Sequence, residues 1–292
     1  MHKSITKKKL RRYKKRKSKS KRINLHKKYI GGNPIIHNIY ISEQSNDSKL
    51  GDSLFVMVYL YSIKDYLEKN NIQINFYIRS KFLNDIKEFS SKNINFFDID
   101  NKPDDAINAW IGYDQPEVLL VFDKQSCWMS FLSKTLTNIG KQMNLPPMDN
   151  FTYTDPDLLD RYNSLDKKYK NIDILIINGR PFTNQIEYNK DEWDSFIKKL
   201  SSSYNIVTTD KVDTIKSTRD DNLSVKNIAA ISTHAKYIIA INTGPMVACL
   251  NTYALKNVKK WYIFDKNVSY MRANFVMNKT FDEILSELIV KL

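Results

Sequence analysis

Short apolar runs rich in β-branched and aromatic residues alternate along this chain with amphipathic helical stretches. No other feature constrains the fold as strongly. The runs are HNIYIS (37–42), IQINFYI (72–78), INFFDI (94–99), EVLLVF (117–122), IDILIIN (172–178), YNIVTT (204–209), KYIIAI (236–241) and KKWYIFD (259–265). Helical patterns occupy 53–69, 81–89, 127–143, 156–169, 191–202, 224–235, 245–256 and 280–291. Strand–helix alternation of this kind predicts an α/β fold of parallel sheets with helices on both faces. EVLLVF, nearly all apolar, suits a strand covered on both sides. The Pro-Pro of NLPPMDN (144–150) ends a helix and stiffens the chain. It divides the alternation into two units, expected at 35–147 and 148–292, with a cleft between them where ligands bind beyond the carboxyl ends of strands.

Charge is concentrated at one end. Residues 1–28 carry fifteen of the 46 Lys and Arg and no Asp or Glu, leaving 31 basic against 32 acidic residues in the rest. Residues 1–34 therefore read as a basic, disordered tail with YIGGNP (29–34) as its hinge. The tail is a solvated segment, a nuclear-localisation signal or an arm for a polyanion such as nucleic acid through residues 3–28. These readings stay open. A nearly neutral body argues against a broad nucleic-acid-binding face.

Other classes are excluded by what is missing. The two cysteines, Cys127 and Cys249, lie in apolar stretches and support no disulfide framework, so an intracellular, reducing compartment is expected. The longest apolar run, 54–61, is far short of the roughly 20 residues of a membrane span. The basic N-terminus lacks the apolar segment of a secretory signal. There is no G-x-x-x-x-G-K-[ST], G-x-S-x-G or G-x-G-x-x-G, and no histidine pair with metal-ligand spacing.

The most informative joint is YIIAINTGPMVACL (237–250). Strand KYIIAI runs into Asn242-Thr243-Gly244-Pro245, and a helix follows. Pro245 suits a first helical turn, Gly244 permits a sharp turn and a close ligand, and Asn242 or Thr243 can cap. Free N–H groups at this helix start, up to Met246, favour an anion such as a diphosphate. On these residues alone an ordinary capped strand–helix turn is the simpler account.

In context, LSVKNIAAISTHAKYIIAINTGPMVACL (223–250) resembles the C-terminal half of family 9 glycosyltransferases, the heptosyltransferase-like enzymes of GT-B fold. In that family an apolar strand leads to D-[ST]-G-x-x-H, against which the sugar-nucleotide diphosphate lies. Asn242, Thr243 and Gly244 stand at its first three positions. Asn242 replaces the usual Asp and Val247 the usual His. KLGDSLFVMVYLYSIKDYLEKNNIQINFYIR (49–79) is similar to the family's first β–α–β unit, in which Gly-Asp precedes the long helix; Gly51 and Asp52 match. NGRPFTNQIEYNKDEWDSFI is similar to glycosyltransferase-like proteins of large DNA viruses, which would put the chain in host cytoplasm or virion, while the basic tail would suit the nucleus. The resemblance implies two Rossmann-like units in a GT-B arrangement and a nucleotide-sugar donor, with no cofactor beyond that donor.

It also implies roles. Asp52 would be the catalytic base, although an aspartate at a helix start is equally a cap. By position alone, NGRPFTNQ (178–185) follows the first strand of the second unit where a ligand should lie: Arg180 could pair with diphosphate oxygens and Gln185 or Asn184 could bond the sugar or base, the alternative being a surface loop with a solvated Arg. Asp221, Asn222 and Ser224 read as caps. A ribose contact by Asp220 or Asp221 is the weaker account. Asp98 and Asp100 form a D-x-D that binds metal in another glycosyltransferase fold; the two-unit pattern disfavours that fold, and no metal site is expected. His234 reads as a helix C-terminal residue favoured by the dipole. The expected function is inverting, metal-independent transfer of a sugar from a nucleotide-diphosphate donor to a glycan or protein acceptor. The alternative is a GT-B-like binding module without catalysis, with the tail holding polyanions.

Overall fold

The computed structural model describes residues 33–41, 50–109, 140–147, 152–182, 185–266 and 272–289. The basic segment 1–28, the strand expected at 117–122, Cys127, Asn184 and most of the helix expected at 127–143 lie outside them.

Two parallel sheets form the frame. The first contains β1 (Ile35–Tyr40), β2 (Ile72–Ile78), β3 (Ile94–Asp98) and β4 (Ile107–Asn108) in the order β3-β2-β1-β4. The second contains β5 (Ile174–Ile177), β6 (Ile206–Thr208), β7 (Tyr237–Ile241), β8 (Lys260–Phe264) and β9 (Phe275–Met277) in the order β6-β5-β7-β8-β9. Every ladder is parallel. The described helices named in the first part are α1 (Leu50–Ser62), α2 (Lys64–Lys69) and α3 (Ser80–Ile86). Those of the second are α4 (Asp157–Ser164), α5 (Lys190–Ser201), α6 (Val225–Ser232), α7 (Gly244–Ala248), α8 (Thr252–Asn257) and α9 (Phe281–Ile289).

The second sheet is buried on both faces, and the two-residue side-chain period shows it. Leu175, Ile177, Ile238, Ala240, Trp261 and Ile263 point into one cluster. Their neighbours Ile174, Ile176, Ile239, Ile241 and Tyr262 point into the other, against Trp193 and Phe196 of α5 and Ile284 and Leu288 of α9. The first cluster does not stop at the second sheet. It continues through α1 to Ile39, Phe76 and Phe96 of the first sheet. Helix α1 is the reason: Ser53 to Tyr61 are all buried. A helix apolar on every side must be enclosed on every side. The two sheets therefore share one core around α1, which packs on α7.

Polar contacts reinforce this junction. Lys226, 3% exposed, holds Asp155 at 3.1 Å and Asp157 at 2.7 Å. Its ammonium also donates to the Glu88 carbonyl and lies 5.4 Å from the Phe89 ring centre. The Glu88 carboxylate accepts from Arg161 at 2.7 Å and Ser224 at 2.6 Å. Tyr153 packs edge-on against Tyr61 and Phe89 and donates its hydroxyl to the Ala248 carbonyl at the end of α7.

Two expected helices are broken, and two strands were not expected. The helix expected at 53–69 breaks at Ile63 into α1 and α2. The helix expected at 245–256 breaks into α7 and α8 because Asn251, fully buried, caps the second: its Oδ1 accepts from the Ala254 N–H, and its Nδ2 lies near the Ala229 carbonyl and Ser232 Oγ. Strands β4 and β9, two and three residues long, are too short to show a period in sequence. Among the described residues no helix is long and apolar enough to cross a membrane.

Candidate active site where two helices begin

Among the described residues α1 is the first helix after β1, and α7 follows β7 after two residues. The starts of these two helices meet backbone to backbone. A Cβ built on Gly244 would lie 3.3 Å from the Gly51 nitrogen and 2.9 Å from Leu50 Cγ, while one on Gly51 would lie 3.8 Å from the Gly244 nitrogen. Gly244 is thus required by the approach of Leu50 and Gly51. This corrects the turn-based reading, because the residue does not adopt a positive φ. Asp52, partly exposed in the first turn of α1, stands next to this contact.

Helix α7 is a single turn with Pro245 at its start. Thr243 sits at the N-cap in extended conformation, but its hydroxyl turns back to the Ile241 carbonyl rather than capping. The first N–H groups of a helix have no partner within it. Here those of Gly244 and Met246 make no backbone hydrogen bond to a described residue. The Met246 side chain is fully buried, so only its backbone faces this end. Val247, where the resembled family has His, is also core.

The remaining expected residues lie along the same edge of the second sheet. Asn242, directly after β7, donates its Nδ2 to Asp265 Oδ2 at 2.7 Å, and both residues are buried. Gln185 donates its Nε2 to the Asn242 carbonyl at 3.2 Å, and the Gln185 carbonyl accepts the Lys266 N–H at 2.8 Å. The loop after β5 is pinned at its other end too. Asn178 bonds the Asp210 backbone in both directions, and the Tyr188 hydroxyl donates to the Asn178 carbonyl. Arg180 stands in this anchored loop with its side chain exposed and makes no ion pair among the described residues. Gln185 and Asn242 thus brace this edge through their amide nitrogens, the Gln185 Oε1 is buried with no hydrogen-bond partner among the described residues, and the Arg180 side chain is exposed. Asp265 went unnoticed in sequence, although an acid closing an apolar strand at a sheet's carboxyl edge was a usable signal.

Other candidates take structural roles. Asp98 accepts from the Asp100 N–H and caps a short 3-10 turn. Ser224 caps α6, Asp220 completes a capping box with Ser217, Asn222 takes the left-handed position ending that turn, and Asp221 pairs with Lys168 and Tyr169. His234 stacks on Tyr162 with ring centres 3.8 Å apart, and this desolvation lowers its pKa; the dipole expectation pointed the other way. Burial pushes the Cys249 thiol up to about 12, which leaves it inert as a nucleophile. Among the described residues no cluster of His, Cys, Asp and Glu is arranged to hold a metal ion.

Two parallel-sheet α/β units meeting at the starts of their helices make up the GT-B architecture, and the chain has that fold. Solved structures similar to it include the E. coli heptosyltransferase WaaC with ADP-2-deoxy-2-fluoro heptose, at TM-score 0.54 and 11% identity over 88% of this chain and 100% of that one. WaaC with ADP gives 0.53 and 11% over 88% and 99%. The dodecameric iron-containing heptosyltransferase TibC in complex with ADP-D-beta-D-heptose gives 0.50 and 12% over 85% of this chain and 63% of that chain. No protein-family model and no curated protein matches the sequence.

Proposed function

We propose that this protein transfers a sugar from a nucleotide-diphosphate donor to an acceptor hydroxyl. The observation that carries the reading is the contact of Gly51 with Gly244, which sets Asp52 beside the start of α7. The solved structures with this fold that hold ADP or an ADP-sugar support it. Asp52 takes the proton from the acceptor hydroxyl as that oxygen attacks the anomeric carbon. The bond from that carbon to the diphosphate breaks, and the nucleotide leaves with the electron pair. The N–H groups of Gly244 and Met246 and the guanidinium of Arg180 stabilise the departing charge, as preorganised donors do in other transfer reactions. A single displacement inverts the anomeric centre. With the leaving group stabilised in this way no metal is needed, and turnover is expected to survive a chelator.

The test is a panel of nucleotide-sugars, read by calorimetry and by release of the nucleoside diphosphate. Asp52→Asn is expected to keep donor affinity and to lower turnover about 100-fold or more. Absence of binding by every donor at millimolar concentration would remove the reading.

One observation favours a second reading, a binding module without catalysis: the Asn242 amide is spent on Asp265. An Asp52→Asn variant that leaves turnover unchanged would support it. Separately, the charge of residues 1–28 suits a polyanion, and deletion of residues 1–33 is expected to abolish retention on nucleic acid at low salt.

A further inference from the structure

The loop after β5 carries two features that the fold itself does not use. The first is Phe182, whose side chain is 92% exposed; the next most exposed large apolar residue among those described, Ile36, is 51% exposed. A phenyl ring left in water forgoes the burial that drives folding. The second is Gly179. Its φ lies outside the left-handed region, and a Cβ built on it would meet nothing within 4 Å among the described residues. Neither conformation nor packing therefore requires glycine at this position. Gly244 and Gly140 differ, because there a Cβ would run into Leu50 and the Tyr59 hydroxyl. A glycine with open space beside it leaves the backbone accessible to a ligand.

Arg180 and Pro181 stand between these two residues. The Arg180 side chain is exposed and makes no ion pair among the described residues. Pro181 fixes its own φ and biases Arg180 toward extended backbone, so this stretch is stiffer than an ordinary loop. Its start is tied down by the bonds of Asn178 to the Asp210 backbone and by the Tyr188 hydroxyl. Open backbone, guanidinium and bare ring are thus presented within four consecutive residues at the carboxyl edge of the second sheet, where ligands of such sheets bind. We infer that segment 179–182 grips two chemically different parts of the donor: the diphosphate approaches the backbone at Gly179 and pairs with Arg180, and the nucleobase stacks on the Phe182 ring. This rests on the donor reading above and adds a base contact to it. A nucleotide offers both an anion for the guanidinium and a flat π face for the phenyl ring. Every base has such a face, so the ring raises affinity for nucleotides over inorganic diphosphate and favours the larger purine over the pyrimidine.

The experiment measures ADP, UDP and pyrophosphate binding by calorimetry, with thermal unfolding alongside, for the native chain, Phe182→Ala, Phe182→Leu, Phe182→Trp and Gly179→Ala. All four variants are expected to melt as the native chain does, since neither position is packed. Phe182→Ala is expected to bind ADP about tenfold more weakly, the scale of one lost base–aromatic stack, and to bind pyrophosphate as before. Phe182→Leu keeps apolar bulk without a π face and should lose nearly as much for ADP, whereas Phe182→Trp should keep the native affinity. Gly179→Ala is expected to weaken ADP and pyrophosphate by one common factor, because the methyl group stands where the diphosphate approaches. A Phe182→Ala chain that binds ADP with native affinity, or that loses ADP and pyrophosphate equally, would overturn the base contact. Native affinity of Gly179→Ala for both would overturn the approach at the backbone. A native chain that binds neither nucleotide would overturn the donor reading and this inference with it.

Discussion

Gly244 and Leu50 approach so closely that a Cβ on the first would stand 2.9 Å from Cγ of the second and 3.1 Å from its Cδ2. A methyl group at position 244 would push Leu50 away and lift α1 from α7, through which the shared core runs. Overpacking of this kind costs about 1–3 kcal/mol. Gly51 has more room, with its nearest neighbour 3.8 Å away. Gly244→Ala is expected to lower the denaturation midpoint clearly, and Gly51→Ala to stay within about 1 kcal/mol of the native chain. Equal effects in chemical unfolding would mean that the two helix starts are not in contact.

Lys226 is the charge on which the junction depends. Replacing it with Ala strands Asp155, itself 3% exposed, and breaking a buried pair in this way costs about 3–5 kcal/mol. Lys226→Met combined with Asp155→Asn, which removes both charges, is expected to recover much of that loss. Chemical denaturation of the single and double variants measures it.

The same cluster gives a pH dependence. The Asp157 carboxyl is held below its ordinary value of 3.8, first by the hydrogen bond from Lys226 and then by the charges of Lys226, Arg161 and Lys64, against the opposing effect of burial. A lowered folded-state pKa stabilises the fold fully above the unfolded value, and the gain is lost as pH falls through the folded one. Asp157 is therefore expected to contribute unchanged from neutrality down to about pH 4 and to lose its contribution below that. In Lys226→Met this acid limb should shrink. An identical limb in the variant would assign the effect to other carboxylates.

Arg180 separates binding from folding. Its exposed side chain makes no ion pair among the described residues, so Arg180→Ala is expected to leave the melting temperature unchanged. Nucleoside diphosphate affinity should fall about tenfold, the scale of a charge-assisted hydrogen bond. Arg180→Lys keeps the charge but not the paired geometry and should fall in between.

The apolar runs showed the layer architecture in sequence because each strand of the second sheet is buried on both faces: Ile174 to Ile177 and Tyr237 to Ile241 left almost no other reading. Gly51-Asp52 and Asn242-Thr243-Gly244 were legible as helix starts for the same local reasons. Their contact was not, since nothing in either segment encodes a neighbour nearly 200 residues away. The break between α7 and α8 was hidden because Asn251 looks like an ordinary helical residue until Ser232 and Ala229 are brought against it. The bonds that Asn242 and Gln185 make to each other's segments and to Asp265 were not legible either, since an amide in a loop shows nothing of its partners until the fold brings them together.

The most direct measurement of the central claim is a crystal structure of the chain soaked with the nucleoside diphosphate that binds most tightly. The expected result is a diphosphate against the N–H groups of Gly244 and Met246, with Arg180 turned toward it and Asp52 on the open side. A nucleotide bound at another place, with the start of α7 left to solvent, would contradict it.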